Sequence, residues 1–415
     1  MYDIVIIGAG AAGIEAARQA LKKKKKTVLI DVDPALYGGT CLNRGCIPAK
    51  LYLHHGGYEK NPARLYEEKE KLVGSIKKKS LQFLHTQGLE FLWGSARFIN
   101  DREIAVGEKR IQSQYYIIAT GSHPRDFLGV DNKKIFFAET LFSFKTLPGK
   151  FLIVGGGAIG VEFASLLHTL SRKVTVIEKE PRILLGFDSS IVQRLKTYMS
   201  REGIDIHTGA DAAQYDFNEY DMVLLAAGRV PHTQGLNLDA IGIQRDQSQR
   251  VLTNEFCQTN LPHIYACGDV TAEKMYAYIG EYQGRICVEN IAGNSQKYSV
   301  MGIPEGVFTI PQLAQVGIQE EQLEQERTAY RALKTHFRPF SSSSVYHDDG
   351  GYLKILIDEK GALLGATLLS RGACELISIF AYAIRNRMSI DSLKKSVFMH
   401  PTIAEIITKL TLESE

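Results

Sequence analysis

Short apolar runs, each cut off by glycine or by an acid, set the rhythm of this chain. Ile4-Val5-Ile6-Ile7 predicts a strand buried on both faces, which runs into Gly8-Ala9-Gly10-Ala11-Ala12-Gly13 and then into the helical pattern of Ile14 to Leu21. Thr27 to Ile30 predicts a second strand that stops at Asp31. Continuous apolar runs of this length, separated by a helix, are the mark of parallel strands joined by a crossover. The order then repeats. Phe151 to Val154 predicts a strand, Gly155-Gly156-Gly157-Ala158-Ile159-Gly160 a turn, Val161 to Leu170 a helix, and Lys173 to Ile177 a strand with Glu178 at its end. Gly8 to Asp31 and Gly155 to Glu178 span the same 23 positions. Both repeats close alike: Tyr115 to Ile118 leads to Ala119-Thr120-Gly121, and Met222 to Leu225 leads to Ala226-Ala227-Gly228.

Each glycine of the turn has a geometric reason. Gly8 makes the tight turn after the strand, Gly10 lets a pyrophosphate approach the backbone, and Gly13 lets the helix pack on the strand. Gly155, Gly157 and Gly160 hold the same places in the second copy. The helix N-terminus that follows offers unpaired N–H groups and a positive dipole to phosphate. Asp31 and Glu178 stand where an acid would bind a ribose hydroxyl. One such turn is weak evidence; two, each with strand, helix and acid in register, predict two dinucleotide-binding units, the second inserted into the first. Two bound dinucleotides imply electron transfer between them. After about position 300 no glycine fingerprint occurs. Val307 to Thr309, Tyr352 to Ile357 and Leu363 to Leu368 are strand-like, and Ala373 to Asn386 is helical, so a separate α+β domain is expected, joined by Met301 to Gly306. Ser341 to Ser344 reads as a short low-complexity loop without an assigned function.

Composition narrows the classes. The 415 residues are 45% hydrophobic and 23% charged with a formal charge of +3, which is ordinary for a globular protein of several domains and gives no reason to expect a nucleic-acid or membrane partner. The run Lys22 to Lys26 ends the first predicted helix, where cations complement the dipole. The N-terminal apolar run carries Asp3 and breaks at Gly8, unlike a signal sequence, and no run approaches the ~20 residues of a membrane span. The cytoplasm is the expected compartment. Of the six cysteines, Cys257, Cys267, Cys287 and Cys374 are scattered singly and are expected to act as small buried apolar residues. Cys41 and Cys46 are five positions apart, just after the first dinucleotide unit. A structural bridge more often closes a longer loop and a zinc site needs two further ligands at comparable spacing, so this pair reads as redox-active.

The segment Gly38-Gly39-Thr40-Cys41-Leu42-Asn43-Arg44-Gly45-Cys46-Ile47-Pro48-Ala49-Lys50 brings a resemblance with it. Together with the two glycine turns, Val161-Glu162-Phe163-Ala164, Ile264 to Asp269, Phe308-Thr309-x-Pro311 and His400-Pro401-Thr402-x-x-Glu405, it resembles the FAD-dependent pyridine nucleotide–disulfide oxidoreductases over essentially the whole chain. The resemblance implies an α/β fold with two Rossmann-like domains, the NAD domain inserted in the FAD domain, plus a C-terminal α+β dimerisation domain. The expected bounds are 1–147 and 253–300 for FAD, 148–252 for NAD and 301–415 for the interface. It implies that FAD lies against Gly8, Gly10, Gly13, Gly39 and Thr40, with Asp31 on its adenosine ribose and Asp269 on its ribitol. Ala119, Thr120, Gly121 and Gly268 complete that set, and Gly155, Gly157, Gly160, Glu178 and Gly228 are implied for NAD.

The family's roles make Cys46 the sulfur nearest the flavin and Cys41 the interchange sulfur. Attack on a disulfide needs a thiolate, so a depressed cysteine pKa is expected, helped by a helix N-terminus near the pair. Arg44 either adds positive potential there or points to solvent. Lys50 and Glu162 fit a family pairing beside the flavin, or are unrelated charges on two helix starts. His400, oriented by Glu405, is the acid–base candidate, and in the family it reaches the cysteines of the partner subunit of a homodimer. Glu178 and Glu180 disfavour a 2′-phosphate and favour NAD(H), although Arg182 is nearby. The expected reaction joins NAD(H), FAD, the cysteine pair and an external dithiol or disulfide, most often dihydrolipoamide or a lipoyl domain. The alternatives are a reductase of another disulfide, mercuric ion or quinone, and a regulatory or structural flavoprotein with residual diaphorase activity.

Overall fold

The computed structural model describes residues 1–127, 134–272 and 274–412. Among them the chain forms two compact units, one drawn from Met1–Val130, Phe137–Leu147 and Gly228–Ser299, the other from Asp131–Phe136, Pro148–Ala227 and Val300–Glu415.

In the first unit the strands run in the order Glu90–Trp93, Thr27–Asp31, Tyr2–Ile7, Lys109–Ile118, Glu103–Val106, Ala96–Asn100, with Ile264–Ala266 also paired to Lys109–Ile118. Tyr2–Ile7 lies parallel to both Thr27–Asp31 and the second half of Lys109–Ile118, whose first half turns antiparallel partner to Glu103–Val106. Helix Ala11–Lys22 buries Ala12, Ala16, Ala17 and Ala20. Small side chains bring it close to helix Ala277–Ile291: a Cβ on Gly284 would stand 2.5 Å from the Ala12 carbonyl oxygen. Residues 228–252, expected with the second nucleotide unit, pack instead in this first unit. Arg229–Pro231 pairs antiparallel with Ser122–Pro124, and Leu236, Leu238, Ile243 and Val251 share a core with Val5 and Ile7. Cys257, Cys267 and Cys287 are buried as expected, whereas Cys374 in the second unit is only half-buried.

The second unit holds two sheets. Asp205–Thr208, Lys173–Glu178, Lys150–Val154 and Met222–Leu225 pair in parallel and carry the second glycine turn. An antiparallel sheet follows in the order Pro304–Val307, Gln312–Gly317, Leu363–Ser370, Tyr352–Ile357, Arg331–His336, with helices Ala373–Arg385 and Glu405–Leu412 in its core. The first of these strands stops at Val307, short of the expected Thr309, because the Phe308 amide donates to Glu162 Oε1 at 2.9 Å and leaves the ladder. Ser341 to Ser344, expected as a loop, opens a short helix Ser341–Val345 in which Ser342 and Ser343 are buried. Among the described residues no helix is long and apolar enough to cross a membrane.

A charged pair in this unit, Lys354 and Asp188, is fully inside. Lys354 is 1% exposed, and its ammonium donates to Asp188 Oδ2 at 2.6 Å, Ser190 Oγ at 2.9 Å and Glu320 Oε2 at 2.5 Å. Burial alone would lower the lysine pKa, but the two carboxylates outweigh it and the shift is upward. Removing one partner of a buried ion pair leaves an uncompensated charge, here on Asp188, which is itself 1% exposed. Lys354→Met is therefore expected to destabilise the protein by about 3 kcal/mol, read as a lower denaturant midpoint; a wild-type midpoint would contradict it.

Candidate functional site

The two glycine turns are built alike atom by atom. Gly8 and Gly155 have φ of 111° and 116°, in the region that favours glycine. Their amides donate to Ile30 and Ile177 carbonyls at 2.7 and 2.8 Å. A Cβ on Gly13 would sit 1.8 Å from the Gly8 oxygen, and one on Gly160 would sit 1.9 Å from the Gly155 oxygen, so helix and turn touch only because both are glycine. Gly10 and Gly157 differ in kind. A Cβ on Gly10 would meet only Gly39 Cα at 4.0 Å, and one on Gly157 would meet nothing, so the space they leave is open to a ligand. Each is the N-cap of its helix without a side-chain cap, which leaves first-turn N–H groups for an anion.

The two acids brace the turns they follow. Asp31 accepts from the Ala9 amide at 2.6 Å and the Val32 amide at 2.7 Å, and Glu178 accepts from Gly156 at 2.5 Å and Glu180 at 2.8 Å. Burial pushes the Asp31 carboxyl up against the pull of those amides. Arg182, four positions after the second acid, is committed elsewhere: its guanidinium donates to the Phe187, Leu185 and Leu184 carbonyls at 2.7, 2.9 and 3.5 Å. Around the first turn, Ala119 N donates to Ile7 O, Thr120 Oγ1 to His232 O at 2.6 Å, and Gly268 N to Gln283 Oε1 at 2.7 Å, while Gly121, Gly228 and Gly268 take positive φ. Open cradle, uncapped helix and bracing acid fit a dinucleotide pyrophosphate at both turns.

The cysteines are set beside the first turn. Gly38 and Gly39 have φ of 93° and 62°, and a Cβ on Gly39 would lie 2.8 Å from Gly10 Cα. Helix Gly39–Arg44 carries Cys41, and after Gly45 helix Cys46–His55 begins with Cys46 itself. Asn43 donates to the carbonyls of Gly39, Tyr37 and Leu36 at 2.7, 3.0 and 3.2 Å, pinning the short helix to the loop before it. Both sulfurs are thiols, Cys41 half-buried and Cys46 exposed. The expected depression of the thiol pKa does not hold for Cys41. Its hydrogen bond to Cys46, then burial, then the charges of Cys46 and Glu281 push it up. Nor is Arg44 turned to the thiols: its Nε pairs with Glu139 Oε2 at 3.1 Å.

In the second unit, His400 Nδ1 meets Glu405 Oε2 at 2.7 Å, with the imidazole 68% exposed and the carboxylate 10% exposed. The His400 bond, then Ser342 and Lys409, holds the Glu405 carboxyl below the usual carboxylate range against burial. Ser342 Oγ and Glu405 Oε1 fall short of closed hydrogen-bond geometry, so their approach is a loose electrostatic one. Tyr346, one turn beyond Ser342, donates to the Pro401 carbonyl at 3.1 Å. Glu162 lies on helix Ala158–Thr169 of this unit, and Lys50 lies on helix Cys46–His55 of the first. Sequence reasoning missed Ser122, Glu139 and Gln283, which bond directly to the expected Asp269, Thr40 and Gly268, and Arg229, which bonds to Ser122 and Glu139. The positions of Ser122 and Arg229, just after Gly121 and Gly228, carried a local signal.

Comparison with known proteins agrees with this arrangement. The pyridine nucleotide-disulphide oxidoreductase family matches residues 2–284, and the dimerisation domain of the same family matches residues 303–411. A dihydrolipoyl dehydrogenase of Chlamydia pneumoniae is 32% identical over 98% of this chain and 95% of its own length. A mercuric reductase of Staphylococcus aureus is 28% identical over 97% of this chain and 81% of its own. Among solved structures, a Cu(II) complex of the HOCl-induced flavoprotein disulfide reductase RclA from Escherichia coli superposes with a TM-score of 0.94 at 28% identity, covering 100% of this chain and 99% of that one. The chain belongs to the pyridine nucleotide-disulphide oxidoreductase family and is a flavoprotein disulfide oxidoreductase that works with FAD and NAD(H).

Proposed function

We propose that the chain oxidises a dihydrolipoamide-type dithiol at the expense of NAD, through Cys41 and Cys46. The observation that carries this reading is the contact of the cysteine-bearing helix with the first glycine turn, Gly39 against Gly10. FAD would be held by Gly8, Gly10, Gly13, Asp31, Gly39, Thr40 and the Ala119-to-Gly121 and Gly268–Asp269 segments, and NAD by Gly155, Gly157, Gly160, Glu178 and Gly228. Bound there, the flavin supplies two-electron exchange with both hydride and sulfur, which no side chain provides. Glu178 and the engaged Arg182 support NAD(H) over a 2′-phosphorylated nucleotide.

The sulfur steps fall to the chain itself. With Cys41 and Cys46 joined as a disulfide, a substrate thiolate attacks the Cys41 sulfur and Cys46 leaves as thiolate. The second substrate thiol then displaces Cys41 from the mixed disulfide; the substrate is oxidised and the pair reduced by two electrons. His400 takes the substrate proton, and Glu405 steadies the imidazolium. The hydrogen bond between the two sulfurs, which raises the Cys41 pKa, supports their working as one pair. The family's dimerisation domain supports a homodimer, in which the His400–Glu405 dyad of one subunit serves the cysteines of its partner. A cytoplasmic enzyme fits the absence of a long apolar run in the sequence. The likeness to RclA favours a second reading, reduction of another disulfide. The deciding assay compares NAD-dependent oxidation of dihydrolipoamide with NADH-dependent reduction of glutathione disulfide. Rapid lipoamide turnover that Cys41→Ser abolishes is expected; glutathione disulfide turned over faster would establish the second reading.

Gly10→Ala tests the cofactor cradle. Its methyl meets no protein atom closer than 4.0 Å, so the protein folds, but the methyl stands where the pyrophosphate approaches. A normal circular dichroism spectrum with an FAD Kd raised at least about tenfold is expected, about 1.4 kcal/mol of lost affinity; an unchanged Kd would refute this placement.

The dyad has a pH signature. Because the Glu405 carboxyl lies below its ordinary value, its contribution is complete above the unfolded pKa of about 4.3 and fades only as pH falls toward the folded value. Across the assay range Glu405 stays ionised and keeps its bond to His400 Nδ1. Glu405→Gln is expected to slow disulfide exchange by about 10²-fold, because a neutral amide steadies the imidazolium less well than a carboxylate. Wild-type turnover in Glu405→Gln would remove Glu405 from this role.

A further inference from the structure

Thr40 and Arg44 stand toward opposite ends of the cysteine-bearing helix and converge on one side chain, Glu139. Glu139 Oε1 accepts from Thr40 Oγ1 at 3.5 Å and pairs with Arg229 Nη1 at 2.7 Å, while Oε2 pairs with Arg44 Nε at 3.1 Å. Arg229 also donates through Nε to Ser122 Oγ at 2.7 Å and through Nη2 to the Ser122 carbonyl at 2.8 Å. Ser122 Oγ in turn donates to Asp269 Oδ2 at 2.5 Å. The Glu139 and Arg229 side chains are 11% and 13% exposed, so salt and water screen their pair weakly. Two guanidinium and two carboxylate groups make the chain of contacts neutral as a whole.

We propose that Glu139 is a positioning residue for the redox pair: it clamps the Gly39–Arg44 helix near both ends and ties it through Arg229 and Ser122 to Asp269. This rests on reading Cys41 and Cys46 as the redox pair and Asp269 as a flavin contact. A helix of six residues does not hold itself, since nucleation costs more than so few turns return. Gly38 before it and Gly45 after it add no side-chain anchor. Asn43 fixes it to the preceding loop, but the rotation that aims Cys41 depends on ties to other elements, and Glu139 supplies two. The same carboxylate cancels the charge of Arg44, so that arginine acts on the thiols as an anchor and not as a free cation. The other groups acting on Cys41, Cys46 and Glu281, are untouched by changes at Glu139 or Arg44.

The test uses the intact flavoprotein and three variants, Glu139→Gln, Arg44→Met and the double variant. Two readouts are taken: disulfide turnover, and the pH midpoint of Cys41 alkylation by iodoacetamide in the reduced protein, followed by mass spectrometry. Glu139→Gln leaves one net positive charge and lowers the midpoint by about half a pH unit or more; Arg44→Met leaves one net negative charge and raises it. Both slow turnover, Glu139→Gln about tenfold and Arg44→Met about threefold, the range of a lost hydrogen bond. In the double variant the charges balance again, so the midpoint returns to wild type while turnover stays as low as in Glu139→Gln. Midpoints that move together or not at all, or turnover losses that multiply in the double variant, overturn the proposal. Arg44 is 44% exposed, so Arg44→Met keeps the sign test available if Glu139→Gln does not fold. Cys41→Ser separates the two levels: if it keeps disulfide turnover the redox reading itself fails, and if it loses turnover while Glu139→Gln is unchanged only this inference does.

Discussion

Backbone touching backbone is the constraint from which the first unit is assembled. Gly13 closes on the Gly8 oxygen, Gly39 on the Gly10 α-carbon, and Gly284 on the Ala12 oxygen, at separations that no Cβ would survive. These contacts stack strand Tyr2–Ile7, helix Ala11–Lys22, the cysteine helix and helix Ala277–Ile291 around one turn. Close packing of this kind holds to a few tenths of an ångström, since interiors have little free volume to absorb an error. A disulfide has to meet its electron partner within such tolerance, because exchange depends on the line of attack as well as on the thiolate. The glycines therefore fix where the sulfurs lie while leaving the face over Gly10 open.

What was legible in the sequence follows from the range over which each feature is specified. The glycine turns and their acids were readable because the geometry is local: a strand, a turn at positive φ and a helix within some two dozen residues. Helix Ser341–Val345 was not, since serine competes with the backbone and is a poor helix former; tertiary burial of Ser342 and Ser343 imposes the turn. The segment 228–252 was assigned by sequence continuity, but its apolar side chains match the core of the first unit. Phe308 left its strand for a carboxylate 146 positions away, a contact no window of sequence contains. The roles of Asp31 and Glu178 were half visible. Each was expected to face a ribose, and each also braces its own turn through two amides.

Buried charge is handled in two ways. Around Lys354 three ionised groups are packed inside the second unit, and the arrangement holds because each finds its counter-charge and a hydroxyl completes the lysine's donors. Such a cluster adds little net stability over an apolar one, but it penalises any packing that separates its members. At His400 the imidazole is left in solvent while its carboxylate is sheltered. A sheltered carboxylate stays ionised only if it is bonded, which the shift at Glu405 reflects. The exposed ring is thereby kept in one orientation without being enclosed, as a group that must reach a thiol requires.

Neutrality beside the thiols is the counterpart of these arrangements. An isolated arginine near Cys41 would stabilise thiolate indiscriminately and would also make it a better leaving group and a poorer nucleophile. With Arg44 tied to Glu139, and Glu139 to Arg229, the long-range field of the network is small and the local differences at the sulfurs decide the chemistry. The first of these is the hydrogen bond between the two sulfurs, which raises the Cys41 pKa. Selectivity between the two sulfurs thus comes from their contact with each other, and the surrounding ions serve to hold that contact in place.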